Sequence, residues 1–196
     1  MGMGKKTFSR AGPLAYGRFG DGPAVVLVCG DLCTGAALAP LAQALSGCFG
    51  TVTYDRRGRG GSGDTAPFAV AREVEDIAAL IEESGGSAAL YGISSGGALA
   101  LEAAASGLPV SGVAVYETPF AVYEGGGEER LAYTERLTEL LADDWRGDAV
   151  ELFMTLTGMP PQMIAGARRS PAAGHGGHRA HSGVRRRRHG RRSGPP

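Results

Sequence analysis

Apolar residues in this 196-residue chain cluster in short runs, and the runs alternate with Ala/Leu-rich or amphipathic stretches. Ala24-Val25-Val26-Leu27-Val28 is apolar at every position, the pattern of a strand buried on both faces. Leu14 to Arg18, followed by Gly20-Asp21-Gly22-Pro23, predicts a hairpin leading into that strand. Thr51–Tyr54, Ser87–Tyr91 and Val110–Tyr116 predict three further strands. Between them, Ala36–Leu45 and Ala98–Ala105 are rich in Ala and Leu and predict helices. Val70, Val74, Ile77 and Ile81 recur at helical spacing with Arg72, Glu73, Glu75 and Asp76 between them, which predicts an amphipathic helix. Alternation of this kind defines the α/β class: a mostly parallel sheet with helices on both faces. After Pro119 only helices are predicted, over about 128–141 and 148–157, with Leu137, Leu140 and Leu141 as an apolar face. No internal repeat is present.

The formal net charge of zero conceals a division. Residues 1–164 hold all 20 acidic side chains and carry a net −9, whereas 165–196 hold nine arginines and no acid. From Ala165 onward only Ala, Gly, Arg, Ser, Pro, His and Val occur. A segment without large apolar residues cannot build a core, so 165–196 is expected to be a disordered basic tail. Residues 1–164 are expected to form one domain. Cys29, Cys33 and Cys48 make an odd count without a disulfide framework. Residues 1–164 offer no other Cys and no His to complete a metal site, so no metal or cofactor is implied. The start, MGMGKKTFSR, lacks the apolar core of a secretory signal, and no apolar run approaches membrane-spanning length. A cytoplasmic protein is expected.

The chemistry concentrates at Gly92-Ile93-Ser94-Ser95-Gly96, a G-x-S-x-G pattern with a predicted strand before it and a helix after it. Strand, tight turn and helix place a serine hydroxyl at the tip of a sharp bend. Such a serine needs a base, yet all four histidines (His175, His178, His181, His189) lie beyond residue 164.

Three landmarks in order resemble the α/β-hydrolase superfamily: the turn Val28-Cys29-Gly30-Asp31, the loop Asp55-Arg56-Arg57-Gly58-Arg59-Gly60-Gly61-Ser62 with its D-x-R-G-x-G-x-S pattern, and the Ser94 elbow. Where the family usually has His-Gly in the first turn, this chain has Cys29-Gly30. The resemblance covers about 15–164, makes residues 1–164 a partial α/β-hydrolase domain with cap helices over about 120–164, and implies that Ser94 is the nucleophile. It implies an oxyanion site made by the backbone N–H of Ser95 with that of Asp31 or Leu32. An Asp31 carboxylate there would oppose an oxyanion unless its side chain turns away. Arg56, Arg57 and Arg59 are expected to brace the loop rather than bind phosphate. Glu117 ends the Val110–Tyr116 strand, where some relatives carry the triad acid.

The implied activity is hydrolysis of a small ester, lactone or amide through an acyl-enzyme, with the helices after Pro119 as a lid. The family's later strands, which carry the triad Asp and His, have no counterpart in residues 165–196, so activity is expected to be impaired. Two origins of that segment stand: out-of-frame translation of a GC-rich gene, or an evolved basic arm. Arg185-Arg186-Arg187-Arg188 resembles a polybasic nucleic-acid signal, but the acidic body and the lack of interleaved aromatics argue against such a partner. The expected partner is a small-molecule substrate, with self-association through an exposed sheet edge.

Overall fold

The computed structural model describes residues 5–9, 12–119 and 127–169. The chain divides into two compact units, residues 1–122 and 123–196. The expectations for 170–196, including the four histidines, lie outside the described residues.

In the first unit a six-stranded sheet is built from β1 (Lys5–Ser9), β2 (Gly12–Phe19), β3 (Ala24–Val28), β4 (Gly50–Tyr54), β5 (Ala88–Ile93) and β6 (Val110–Tyr116). Its spatial order is β1-β2-β4-β3-β5-β6. Strands β4, β3, β5 and β6 are parallel, and β1 and β2 add an antiparallel flank. The expected hairpin is therefore corrected. β2 pairs with β4 (Tyr16 opposite Tyr54, Phe19 opposite Thr51), and β4 lies between it and β3. The physical reason is in the turn. Gly20 and Gly22 lie against the backbone of Ser46, Cys48 and Phe49, where a Cβ would overlap carbonyl oxygens. The chain thereby crosses the start of β4, and Gly50 N–H donates to Pro23 C=O at 3.0 Å. β3 is left central, between β4 and β5, where Val26, Leu27 and Val28 of its apolar run are buried. β1 was not expected; Lys5-Lys6-Thr7 shows no apolar alternation, and the strand exists through its pairing with β2.

A helical turn at Gly35–Leu38 leads into α1 (Ala39–Leu45), and α2 (Val70–Glu83) and α3 (Ser95–Ala105) follow. Alternate strand residues face opposite layers. Val26, Val28, Val52, Tyr54 and Leu90 pack with Ile77, Leu80 and Ile81 of α2 and Leu99, Ala100 and Ala103 of α3. Leu27 and Cys29 pack with Leu38 and Ala42 on the other side. Each large side chain so buried contributes about 1.5–3 kcal/mol.

One expectation about α2 fails. Glu73 and Asp76 are buried rather than on a solvent face. Two buried arginines sit opposite them: Arg56 pairs with Glu73, and Arg57 with Asp76 at 2.8 Å. A buried cation requires a paired anion, and that requirement outweighs the helix's polar pattern.

β6 is the outermost strand. It is exposed along most of its length, and Val113, Val115 and Tyr116 are 38%, 44% and 53% accessible.

In the second unit α4 (Gly127–Ala142), α5 (Arg146–Leu156) and α6 (Pro161–Arg169) follow in succession. Of the expected apolar face, Leu140 is buried and Leu137 half-buried, but Leu141 is exposed at the end of its helix. α6 was not expected, and it runs through residue 165, across the point where the composition changes. Among the described residues no helix is long and apolar enough to cross a membrane.

Candidate active site

The carboxyl ends of β3, β5 and β6 meet at one edge of the sheet. Ser94 joins β5 to α3 with φ 54° and ψ −129°, outside the regions a non-glycine residue ordinarily adopts. Two close approaches hold this turn. A Cβ at Gly92 would overlap Gly96 O and Gly97 Cα, and one at Gly96 would overlap Val28 O and Cys29 O. Only glycine lets β5, α3 and the end of β3 come so near. The turn is fixed further by Ser94 N–H donating to Tyr116 C=O (2.9 Å), and by Gly97 N–H donating to Ser94 C=O (2.8 Å).

Gly30 faces the serine. A Cβ built there would stand 3.1 Å from Ser94 Cβ and 3.6 Å from Ser94 Oγ. The first turn after β3 and the elbow are therefore neighbours, and Ser95 opens α3, where helix N–H groups have no partner within the helix. Asp31 follows Gly30, and its carboxylate accepts from Arg59 Nη2 at 3.2 Å, with Arg56 Nη1 at 4.0 Å. Its charge is thus compensated. Leu32, at φ 55°, is exposed. Glu117 has φ 49° and is exposed; it directly follows Tyr116, whose carbonyl binds the elbow. Among the described residues, three of the four non-glycine positive-φ residues thus lie at this edge: Leu32, Ser94 and Glu117. Strain of this kind costs about 1–3 kcal/mol per residue and clusters at functional sites.

The arginine loop is a brace, as its pattern implies. Asp55 accepts from Gly35 N–H (2.9 Å) and Gly61 N–H (2.8 Å), tying the loops after β3 and β4 together. Ser62 Oγ donates to Asp55 C=O (2.6 Å) and accepts from Ala15 N–H (2.9 Å). Arg59 Nη1 donates to Gly30 C=O at 2.7 Å. Arg56 reaches furthest into the site. Its Nε donates to Glu73 Oε1 (3.1 Å), its Nη2 to Glu73 Oε2, and its Nη1 to Ser95 Oγ (3.2 Å) and Cys29 C=O (3.4 Å). Burial pulls the Arg56 pKa down, but the Glu73 carboxylate more than offsets this and holds it above the ordinary value. Burial likewise raises the Cys29 thiol, against the pull of Arg59 and Arg56.

The sequence did not point to Gly30 as the residue facing Ser94, nor to the Glu73–Arg56–Ser95 chain. A usable signal was the pair of acids at 73 and 76, flanking the apolar helix positions and matched in number by Arg56 and Arg57.

Fold and elbow together define the class, and a model of the alpha/beta hydrolase family matches residues 25–195. The chain belongs to that family. It is 48% identical to an alpha/beta hydrolase from Sphaerobacter thermophilus, with a TM-score of 0.76 over 85% of this chain and 66% of that one. It is also similar in fold to the epoxide hydrolase VrEH1 from Vigna radiata (20% identity, TM-score 0.56, 60% of this chain and 38% of that). A further likeness is to the N-acyl homoserine lactonase AidH in complex with N-butanoyl homoserine (21% identity, TM-score 0.56, 63% of this chain and 48% of that). The chain thus spans about two thirds of the Sphaerobacter hydrolase, and less than half of the other two. No curated protein matches it.

Proposed function

We propose that this chain carries the nucleophile and oxyanion site of a serine hydrolase acting on a small ester, lactone or amide. The carrying observation is the elbow, with Ser94 at φ 54° between two glycines whose backbones touch neighbouring strand and helix. Ser94 Oγ attacks the carbonyl carbon and its proton passes to a base. The carbonyl oxygen becomes an oxyanion held by Ser95 N–H and by the N–H of Asp31 or Leu32. Two such fixed donors lower the barrier by several kcal/mol, since losing one costs about 3 kcal/mol. The alcohol or amine leaves with a proton, and water then releases the acid from the acyl-serine. Arg59 and Arg56 support this reading by drawing the Asp31 carboxylate into ion pairs. Glu117, one residue beyond the carbonyl that fixes the elbow, is the candidate acid.

The cytoplasm is the proposed location and a small molecule the proposed partner. A catalytically inactive form is the second reading. It is favoured by one observation: no histidine precedes His175, so no histidine base is among the described residues.

The test uses p-nitrophenyl acetate, whose leaving group needs little assistance. Ser94 is expected to be acetylated faster than any other serine of the full chain, as located by peptide mass analysis, and no acetyl group is expected at position 94 in Ser94→Ala. Acetylation of other serines at an equal or greater rate would remove the elbow from the chemistry, whereas acetylation of amines such as Lys5 and Lys6 is the reagent's own and is the same in Ser94→Ala.

A further inference from the structure

Arg56 occupies the open position of the D-x-R-G-x-G-x-S loop; the pattern's own arginine is Arg57, which turns to Asp76. A buried arginine at an open position has a specific task here. Its guanidinium joins three elements: Glu73 of α2, Cys29 C=O just past the end of β3, and Ser95 Oγ at the start of α3. The last two belong to the two walls of the proposed oxyanion site.

We infer that Arg56 is a positioning residue that sets the spacing between those walls, with Glu73 as its anchor and Ser95 Oγ as its handle on the elbow. The inference rests on Ser95 N–H being an oxyanion donor. The planar fork matters, because two nitrogens are committed to Glu73 while Nη1 alone serves the site. A lysine, with one ammonium, cannot satisfy both sides in that geometry. The charges close as well: Arg56 and Arg59 are matched by Glu73 and Asp31, so the network brings no net charge to the oxyanion. A mere tie between α2 and the sheet would need only the Arg56–Glu73 pair. The Ser95 contact, spanning 39 residues of sequence, would then be idle.

The test is a double-variant cycle of Arg56→Lys and Ser95→Ala in the full chain, read in two ways. Amide hydrogen exchange at Gly97 and Ala98, whose N–H groups donate to Ser94 C=O, reports the elbow directly. The rate of fluorophosphonate attachment to Ser94 reports the oxyanion site. Each single variant is expected to lose about tenfold in protection at these two amides, the worth of a hydrogen bond to a charged group. Each is expected to lose about as much in labelling rate, and the double variant no more than the larger single loss. Independent, additive losses would overturn the inference, as would Ser95→Ala leaving both readouts unchanged. Equal loss of protection at Val52 of β4 and Leu80 of α2 in Arg56→Lys and in Ser95→Ala would show general destabilisation, and would also overturn it. If no label attaches to Ser94 in any form, the nucleophile assignment fails, while the exchange data still decide the positioning role.

Discussion

A fluorophosphonate is expected to label the full chain slowly, and at Ser94 alone. Fluorophosphonates report an activated serine, and activation requires a base within hydrogen-bond reach of the hydroxyl. Residues 1–174 contain no histidine. Loss of the triad base costs on the order of 10⁶ in turnover, leaving about 10³–10⁴ over water from oxyanion donors and binding. The expected rate is therefore far below that of an activated serine, and the Ser95 and Asp31 or Leu32 amides are what set Ser94 above the chain's other serines. The control is Ser94→Ala, which should remove the remaining label. Rapid, stoichiometric labelling at Ser94 would sink the expectation. It would mean that His175, His178, His181 or His189 reaches the hydroxyl, and single alanine substitutions would then identify which.

The second large effect concerns β6. Its outer edge has no pairing strand among the described residues, and Val113, Val115 and Tyr116 are exposed. Unpaired N–H and C=O groups beside apolar side chains template pairing with another chain unless charge or cover prevents it. Strands in parallel sheets are ordinarily covered on both faces. At roughly 25 cal/mol per Å², a few hundred Å² of uncovered apolar surface amounts to several kcal/mol. That is comparable to the whole stability of a domain. We expect the purified chain to self-associate through this edge and to bind a hydrophobic dye. Val115→Lys, which places a charge on the strand, should reduce both. A monomer by light scattering with a sharp melt above about 55 °C, within the ordinary mesophile range, would refute it.

The sheet's central strands were legible because their signal is local. β3, β4, β5 and β6 lie within two residues of where the apolar runs place them. The elbow was legible for the same reason, since strand, glycines and helix are contiguous in sequence. Pairing was less so. Nothing within residues 14–28 says that β4 will insert between β2 and β3; that follows from packing of the Gly20–Pro23 turn against residues 46–49. The site's electrostatics were least legible. Glu73 looked like a solvent residue because its partner, Arg56, lies 17 residues away on the loop after β4. Long-range ion pairs leave no periodic trace, only a suspicious coincidence of opposite charges near apolar positions.

The left-handed backbone at Leu32, Ser94 and Glu117 has an evolutionary consequence. Glycine adopts such a conformation freely, so replacing any of the three relieves strain against a smaller entropic cost. Leu32→Gly and Glu117→Gly are expected to raise the melting temperature by about 2–4 °C each, corresponding to about 1 kcal/mol. Glycine at an exposed position ordinarily lowers it, and an unchanged or lower value would refute the expectation. A library selected for heat resistance alone, with no substrate offered, would then be enriched in changes at the carboxyl edge of the sheet. The protein would disclose where it works through the residues that stability, left to itself, would discard.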